Sequence, residues 1–459
     1  MSSSTIRPST GSGSFERGIH PDPSKNLAAG MPIEVLPNPG LLTLPLLQHI
    51  GASSKSLVQP RTAVDAGQAL SEPDGFVSAG VHAPLAGTTV KETHVTIASG
   101  RHLTAIPVKT GDENRSGHEL FQAVLGGDWD PSPIATLEAK DIAVRVGAAG
   151  VVGMGGAAFP THVKLTPNPD RPVDTILVNG CECEPYLCAD YRVMLEAARP
   201  VVVGALIAAR AQSAKQVVLA TEADKHDALD ALRAAARELA GTLDGVEIRV
   251  QSLDARYPMG GEKQTVRASV GRTIPEGGLP LDVGVVVINV GTAVAVAGAV
   301  LRERPLTHRV LSVTGRGIRQ PKNLLVPIGV DVATIVEHCG GLLPQAERVV
   351  AGGPMMGFTL GSLAAPVTKG TSGITVLTAA EARRSPRTNC IRCGRCVDVC
   401  PLRLVPQRLA LASEHENWSL AKAYHLRHCM ECGCCAYTCP AGIPLVQLMR
   451  TGKACMPRD

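Results

Sequence analysis

Nine of the fourteen cysteines in this chain fall between Cys390 and Cys439, and their spacing is that of a metal site built twice. The first run is Cys390, Cys393, Cys396 and Cys400, followed by Pro401; the second is Cys429, Cys432, Cys435 and Cys439, followed by Pro440. Three thiolates two residues apart wrap a tight loop around one [4Fe–4S] cubane. The fourth, before proline, starts a helix that points across to the other cubane. By that rule one cluster takes Cys390, Cys393, Cys396 and Cys439, and the other takes Cys429, Cys432, Cys435 and Cys400. Zinc also accepts Cys-x-x-Cys pairs, but it needs four thiolates and no terminal Cys-Pro. Cys434, next to a ligand, reads as a structural thiol.

Four further motifs place polar groups where a parallel sheet binds ligands. Gly153, Gly155 and Gly156, with Phe159 and Lys164 close behind, form a glycine-rich loop. It satisfies the G-x-G-x-x-[GA] pattern only formally. Pro160 interrupts the expected helix, and no acidic residue ends a second strand about 20 residues later. Backbone amides without side chains, plus a lysine, still suit a phosphate; the alternative is a tight structural turn. Asn179, Glu182 and Glu184 follow directly on the apolar run TILV. Tyr257, Gly260, Gly261 and Glu262 follow another strand, and Asn289 with Thr292 a third. Strand carboxyl ends are where open α/β sheets hold ligands, so together these groups describe a flavin or nucleotide pocket. Glu262 reads as a carboxylate pointing into that crevice, or else as a solvated helix-start residue favoured by the helix dipole. Cys181, Cys183 and Cys188 lack a fourth partner and match no cluster spacing.

Positioning these groups requires several domains. At 459 residues the chain is long enough for about three. Its 44% hydrophobic and 19% charged residues exclude a disordered or fibrous protein. The net charge of +4 is too small to argue for nucleic acid, and 5 Phe, 5 Tyr and 2 Trp are too few for a base-stacking surface. The polar N-terminus carries no apolar core of a signal peptide or anchor, so the clustered cysteines read as metal ligands in a reducing compartment.

Residues 1–30 read as an arm with the motif GIHPDPSK, and 31–110 as a β-module built from IEVLP, KSLVQP, VHAPLAGTTV and HLTAIPVK. Residues 111–135 read as a linker. Residues 136–305 alternate strands (TILVNG, QVVLATE, EIRVQS, VGVVVINVG) with Ala-rich helices, one of them MLEAARPVVVGALIAARA. Residues 306–380 suggest a β-grasp module with one helix, and 381–459 a helical domain around the cysteine runs. Val283–Leu301 is 19 residues without a charge. Its β-branched first half and three glycines read as a buried strand and the helix after it, rather than a membrane span.

The segment VDAGQAL…VHAPLAGTTV resembles the barrel-sandwich hybrid of biotinyl and lipoyl domains, without a lysine at the hairpin tip. GMGGAAFPTHVK, NGCECEP, YPMGGEKQ and NVGT, in this order between GIHPDPSK and the cysteine runs, resemble the RnfC family, a component of the Rnf ion-translocating electron-transport complex. The middle part is also similar to the NADH-oxidising flavoprotein subunit of respiratory complex I. The resemblance implies a multidomain α/β protein. Its parts would be a barrel-sandwich hybrid β-module, a Rossmann-like FMN-binding domain, a β-grasp (SLBB-like) module and a ferredoxin-type domain with two [4Fe–4S] clusters. It implies that Gly153, Gly155, Gly156 and Lys164 hold the FMN phosphate and ribityl chain, and that Asn179 and Glu182 sit at the flavin. Tyr257, Gly261, Glu262, Asn289 and Thr292 would complete the pocket, with Phe159 stacking on the nicotinamide nucleotide and Glu262 and Lys164 as the catalytic pair.

It further implies a peripheral subunit on the cytoplasmic face of the inner membrane, exchanging electrons between NAD(H), FMN and the clusters. Its partners would be the other Rnf subunits and, indirectly, ferredoxin or flavodoxin, with coupling to ion movement. Family members usually carry NGAECEP, so Cys181 stands where a small residue is usual. Two alternatives are a soluble cobalamin reductase and a non-catalytic ferredoxin-like carrier. The arm and β-module ahead of the glycine loop favour the Rnf reading over the first.

Overall fold

The computed structural model describes residues 11–111, 114–383 and 386–457. The first ten residues of the arm, and residues 112–113 of the expected linker, lie outside that range.

A four-stranded parallel sheet lies at the centre, in the order Glu247–Leu253, Gln216–Glu222, Thr175–Asn179, Val285–Asn289. Three of these strands are apolar on both faces, which is the signature of a sheet covered by helices on both sides. Helices Ala198–Gln212 and Val290–Leu301 pack against each other on one face. Gly204 lets them touch, since a Cβ there would stand 1.8 Å from the Ala293 carbonyl oxygen. The stretch Val283–Leu301 divides into a strand and a helix of 12 residues. Among the described residues no helix is long and apolar enough to cross a membrane.

An antiparallel sheet carries the N-terminal module, with Leu41–Pro45, His102–Thr110, Gly87–Thr89 and Ala63–Val64 in order and Thr93–Thr96 beside His102–Thr110. Its core is continuous with that of the central domain: Leu44 and Val108 belong to the same buried set as Val152, Ile176 and Val201. A six-stranded mixed sheet follows, with helix Val332–His338 packed against it. The C-terminal domain packs Pro406–Glu414, Trp418–Ala423 and Leu445–Cys455 around Leu409, Leu426 and Met449.

Three elements differ from the sequence reading. Ile33–Val35 is a strand, but it pairs in parallel with Lys322–Pro327 of the six-stranded sheet and not within the N-terminal module. The residues read as a linker instead carry helix Gly117–Val124 and the turn Ser132–Thr136, with Leu120, Val124, Leu125 and Ile134 buried. Trp129 is 1% exposed there and lies under the Arg302 guanidinium, 3.4 Å from its ring centre. Dense Gly, Asp and Pro hid this apolar set. The stretch MLEAARPVVVGALIAARA is two helices, Ala189–Glu196 and Ala198–Gln212, broken at Ala197. Pro200 falls in the first turn of the second, where its missing N–H costs nothing.

Candidate functional site

The register of the central sheet sets Asn289 beside Asn179 at the carboxyl ends of adjacent strands. Asn289 caps the helix that follows, its Oδ1 accepting the Gly291 amide at 2.8 Å, while its Nδ2 donates to Asp190 Oδ2 at 2.6 Å. Asn179 Nδ2 donates to the Gly260 carbonyl at 2.9 Å, and its Oδ1 accepts the Cys181 amide. Thr292 Oγ1 accepts the Met154 amide at 2.8 Å, which ties the glycine loop to the Asn289 strand end. That loop is closed by the Gly153 amide donating to the Phe159 carbonyl. Gly156, at φ 107°, has no heavy atom within 4 Å of where a Cβ would stand. The loop therefore presents open backbone above the strand ends. Phe159 is half-buried behind it.

Lys164, on helix Thr161–Leu165, reaches across the crevice. Its Nζ lies 2.9 Å from Glu262 Oε1 and 3.0 Å from the Val287 carbonyl oxygen. Glu262 is the first residue of helix Glu262–Val270, so it occupies a helix start and pairs with the lysine at once.

Beneath the crevice lies a buried charge cluster that the sequence reading did not assemble. The Lys25 ammonium, from GIHPDPSK, donates to the carbonyls of Glu182 at 2.6 Å, Glu184 at 3.0 Å and Leu187. Burial opposes its charge, but the Glu182 and Glu222 carboxylates outweigh burial and raise its pKa. The Glu182 amide donates to Glu222, and its own carboxylate accepts the Tyr191 amide. Burial, and then the Glu182 charge, pushes the Asp190 carboxyl up. Glu184 accepts the Met355 and Met356 amides at 3.1 and 2.8 Å, and burial pushes its carboxyl up to about 7. Lys25 stood inside a quoted motif, and Asp190 followed the strand end by eleven positions. Neither residue type signalled burial.

The two cysteine runs repeat in backbone as well as in sequence. Arg392 and Glu431 both take positive φ (56° and 59°), as do Gly394 and Gly433 (78° and 86°), at matching places in the two loops. Cys400, Cys429, Cys432 and Cys435 line one cavity with an open volume of about 360 Å³, together with Cys434. A tetrahedral zinc site would bring its sulfurs to about 3.8 Å from one another, given Zn–S bonds of about 2.3 Å. Among the described residues no three cysteine sulfurs lie within 4.8 Å of one another, so the wider spacing suits a cluster rather than a single ion. Cys390 and Cys393 are exposed. Cys181, Cys183 and Cys188 are not part of either set: Cys183 Sγ accepts the Gly260 amide at 3.3 Å, and Cys181 and Cys188 are buried thiols.

The second cysteine loop sits directly on the α/β domain. The Tyr257 hydroxyl donates to the Cys432 carbonyl at 2.6 Å. The Met430 methyl group would be 2.7 Å from a Cβ placed on Gly261. Tyr257, Cys432 and Cys434 are buried together with Ile19 of the arm.

Comparison with known proteins gives four family matches in the order of the domains. They are the RnfC barrel sandwich hybrid domain over residues 13–113, the Nuo51 FMN-binding domain over 146–298, the SLBB domain over 310–359 and the 4Fe-4S dicluster domain over 389–443. The chain is 39% identical to the RnfC-type subunit of the proton-translocating ferredoxin:NAD(+) oxidoreductase complex of Clostridium ljungdahlii, over 89% of this chain and 86% of that one. It is 40% identical to the corresponding subunit of the ion-translocating oxidoreductase complex of Rhodobacter capsulatus, over 96% and 82%. A chain of the NAD+-reducing [NiFe]-hydrogenase in its H2-reduced state shares the fold at a TM-score of 0.50 and 21% identity, covering 72% of this chain and 65% of that one. With an FMN-binding domain and a two-cluster domain in the expected order, and relatives aligned over most of its length, the chain belongs to the RnfC family of electron-transfer subunits.

Proposed function

We propose that this chain is the electron-entry subunit of an ion-translocating membrane complex, exchanging electrons between NAD(H) and partner subunits. It would sit peripherally at the cytoplasmic face of the inner membrane, held there by those partners and reaching ferredoxin or flavodoxin through them. The observation that carries this reading is the contact between Tyr257 and Cys432. It sets the cysteine set 400, 429, 432 and 435 against the flavin crevice. Cys390 and Cys393, of the other set, face outward.

The residues present fit both kinds of cofactor. The open Gly153–Gly156 backbone and Lys164 suit a phosphate, and Asn179, Glu182, Tyr257, Gly261, Glu262, Asn289 and Thr292 surround the strand ends beside it. The cysteines are spread as cubane ligands rather than as ligands of one ion. When bound, FMN supplies a group that accepts two electrons with a hydride and passes them singly to clusters that each take one.

The chain's own contribution is placement and insulation. The Asn289 and Thr292 bonds fix the glycine loop over the strand ends. Tyr257, Ile19 and Met430 fill the seam between crevice and cysteine loop with apolar surface, which excludes water from the transfer path. Lys25 holds the Glu182–Leu187 turn in one shape by donating to three of its carbonyls.

Anaerobic titration of the holoprotein with NADH, followed by EPR, tests the reading. NADH should reduce cluster iron in flavin-replete protein. It should fail in flavin-depleted protein whose clusters dithionite still reduces. Cluster reduction by NADH without flavin, or none with it, would overturn the proposal.

A further inference from the structure

Away from the crevice and the cysteine loops, one group of side chains converges as metal ligands do. Glu276 lies in the turn after helix Glu262–Val270 of the α/β domain. His425 and His428 flank the short turn Leu426–His428 in the C-terminal domain, just ahead of the second cysteine run. Glu276 Oε1 is 2.6 Å from His425 Nδ1 and 3.5 Å from His428 Nδ1. One donor atom from each residue lies within 4.8 Å of the other two, and among the described residues no other group of three histidine, cysteine or acidic side chains does this. The imidazole rings meet edge to face at 73°, so their nitrogens approach the carboxylate from two directions. The left-handed backbone of His425, φ 61°, ends the preceding helix and leaves its ring on the same side as that of His428.

We propose that Glu276, His425 and His428 form a binding site for a divalent transition-metal ion of the zinc class. Two imidazoles and one carboxylate are borderline donors. They favour zinc and its neighbours over calcium or magnesium, which take oxygen ligands. The side chains are 61%, 53% and 30% exposed, so solvent can complete a four-coordinate shell. The ion would join two domains across their seam, one residue from Cys429. Binding only to the docked arrangement, it would stabilise that arrangement by mass action. The site has no sulfur donor and is separate from both cysteine sets.

The test uses anaerobic holoprotein dialysed against Zn²⁺, with zinc and iron counted and the zinc edge examined by X-ray absorption. About one zinc per chain should be retained, with nitrogen and oxygen scatterers at about 2.0–2.1 Å and no loss of iron. Zinc should also raise the thermal midpoint. Loss of even an outer-shell partner weakens metal sites about 10- to 100-fold, so loss of a direct ligand should cost at least that. E276Q and H425N, the latter chosen because asparagine tolerates a left-handed backbone, should keep flavin and iron yet lose the zinc and the thermal shift. Equal zinc retention in these variants, no retention by the wild type, or sulfur scatterers at about 2.3 Å would overturn the proposal. The last result would place the ion on cluster cysteines.

Discussion

Lys164 donates to Glu262 across 2.9 Å, joining the helix behind the glycine loop to the helix start after Gly261. The side chains are 29% and 39% exposed, so the pair itself should contribute only about 0–1 kcal/mol to the fold. Its importance lies in charge. A lysine already facing a carboxylate presents less net positive charge to a phosphate than a free one.

Lys164→Gln should therefore separate stability from ligand binding. The thermal midpoint should move by no more than about 2–4 °C. Flavin affinity should fall, because an ionic hydrogen bond of about 1.5–3 kcal/mol corresponds to roughly 10- to 150-fold in Kd. Glu262→Gln should keep its flavin and change the affinity for NADH instead. Equal flavin content in wild type and Lys164→Gln, measured by fluorescence after desalting, would reduce Lys164 to a structural partner of Glu262.

How much of this was legible depends on how local the signal is. The strand Gln216–Glu222 stands where QVVLATE was read, because a run apolar on both faces has few other uses. The polar strand ends were legible for the same reason: once the strands are known, Asn179 and Asn289 must stand at their carboxyl ends. The pairing of Ile33–Val35 with Lys322–Pro327 was not, because three residues do not specify a distant partner. The Lys164–Glu262 pair was hidden likewise. Both residues were assigned to the crevice, but nothing in either motif gives their separation. Lys25 was missed on residue type alone, since lysine reads as surface until three carbonyls are found around it.

Lys25→Met tests that burial directly. Methionine preserves much of the length but donates nothing. Three carbonyls would lose their donor, and Glu182 and Glu222 would lose a buried counter-charge. Removing one partner of a buried ionic arrangement costs about 3–5 kcal/mol. The variant should unfold at markedly lower denaturant concentration and should lose flavin, while Lys25→Arg should recover part of both. An unchanged denaturation midpoint in Lys25→Met would mean the ammonium is replaceable by water.

Two buried bases should give the fold a two-part pH dependence. Burial, and then the charge of Lys369, pushes His82 down to about 4. Burial pushes Lys369 down to about 7, where its amine donates to the carbonyls of Gly80 and Gly150. In both cases the unfolded chain binds the proton more tightly, so stability rises with pH across each window. Lys369 should remove stability as pH falls from its unfolded value of 10.5 to about 7, and His82 as pH falls from 6.5 to about 4. Thermal midpoints measured across pH should show the lower slope reduced in His82→Gln and the upper slope reduced in Lys369→Met. Parallel curves for a variant and the wild type would remove that residue from the account.

Cys400 belongs to the first run by sequence, yet it lines the cavity of the second, with Cys429, Cys432 and Cys435. Its Sγ accepts the Leu404 amide at 3.3 Å, a bond to the turn that follows Cys400-Pro401. Cys400→Ser should therefore damage the cluster held by Cys429, Cys432 and Cys435, and spare the one held by Cys390, Cys393, Cys396 and Cys439. Because the damaged cluster is the one beside Tyr257, NADH should still reduce the flavin while delivery to the surviving cluster slows. Chemical analysis should give about eight iron per wild-type chain and roughly half that in the variant. EPR should then distinguish which cluster survives. A surviving signal that Cys439→Ser leaves intact, and that Cys435→Ser abolishes, would show that each run ligates its own cluster and that the crossing is wrong.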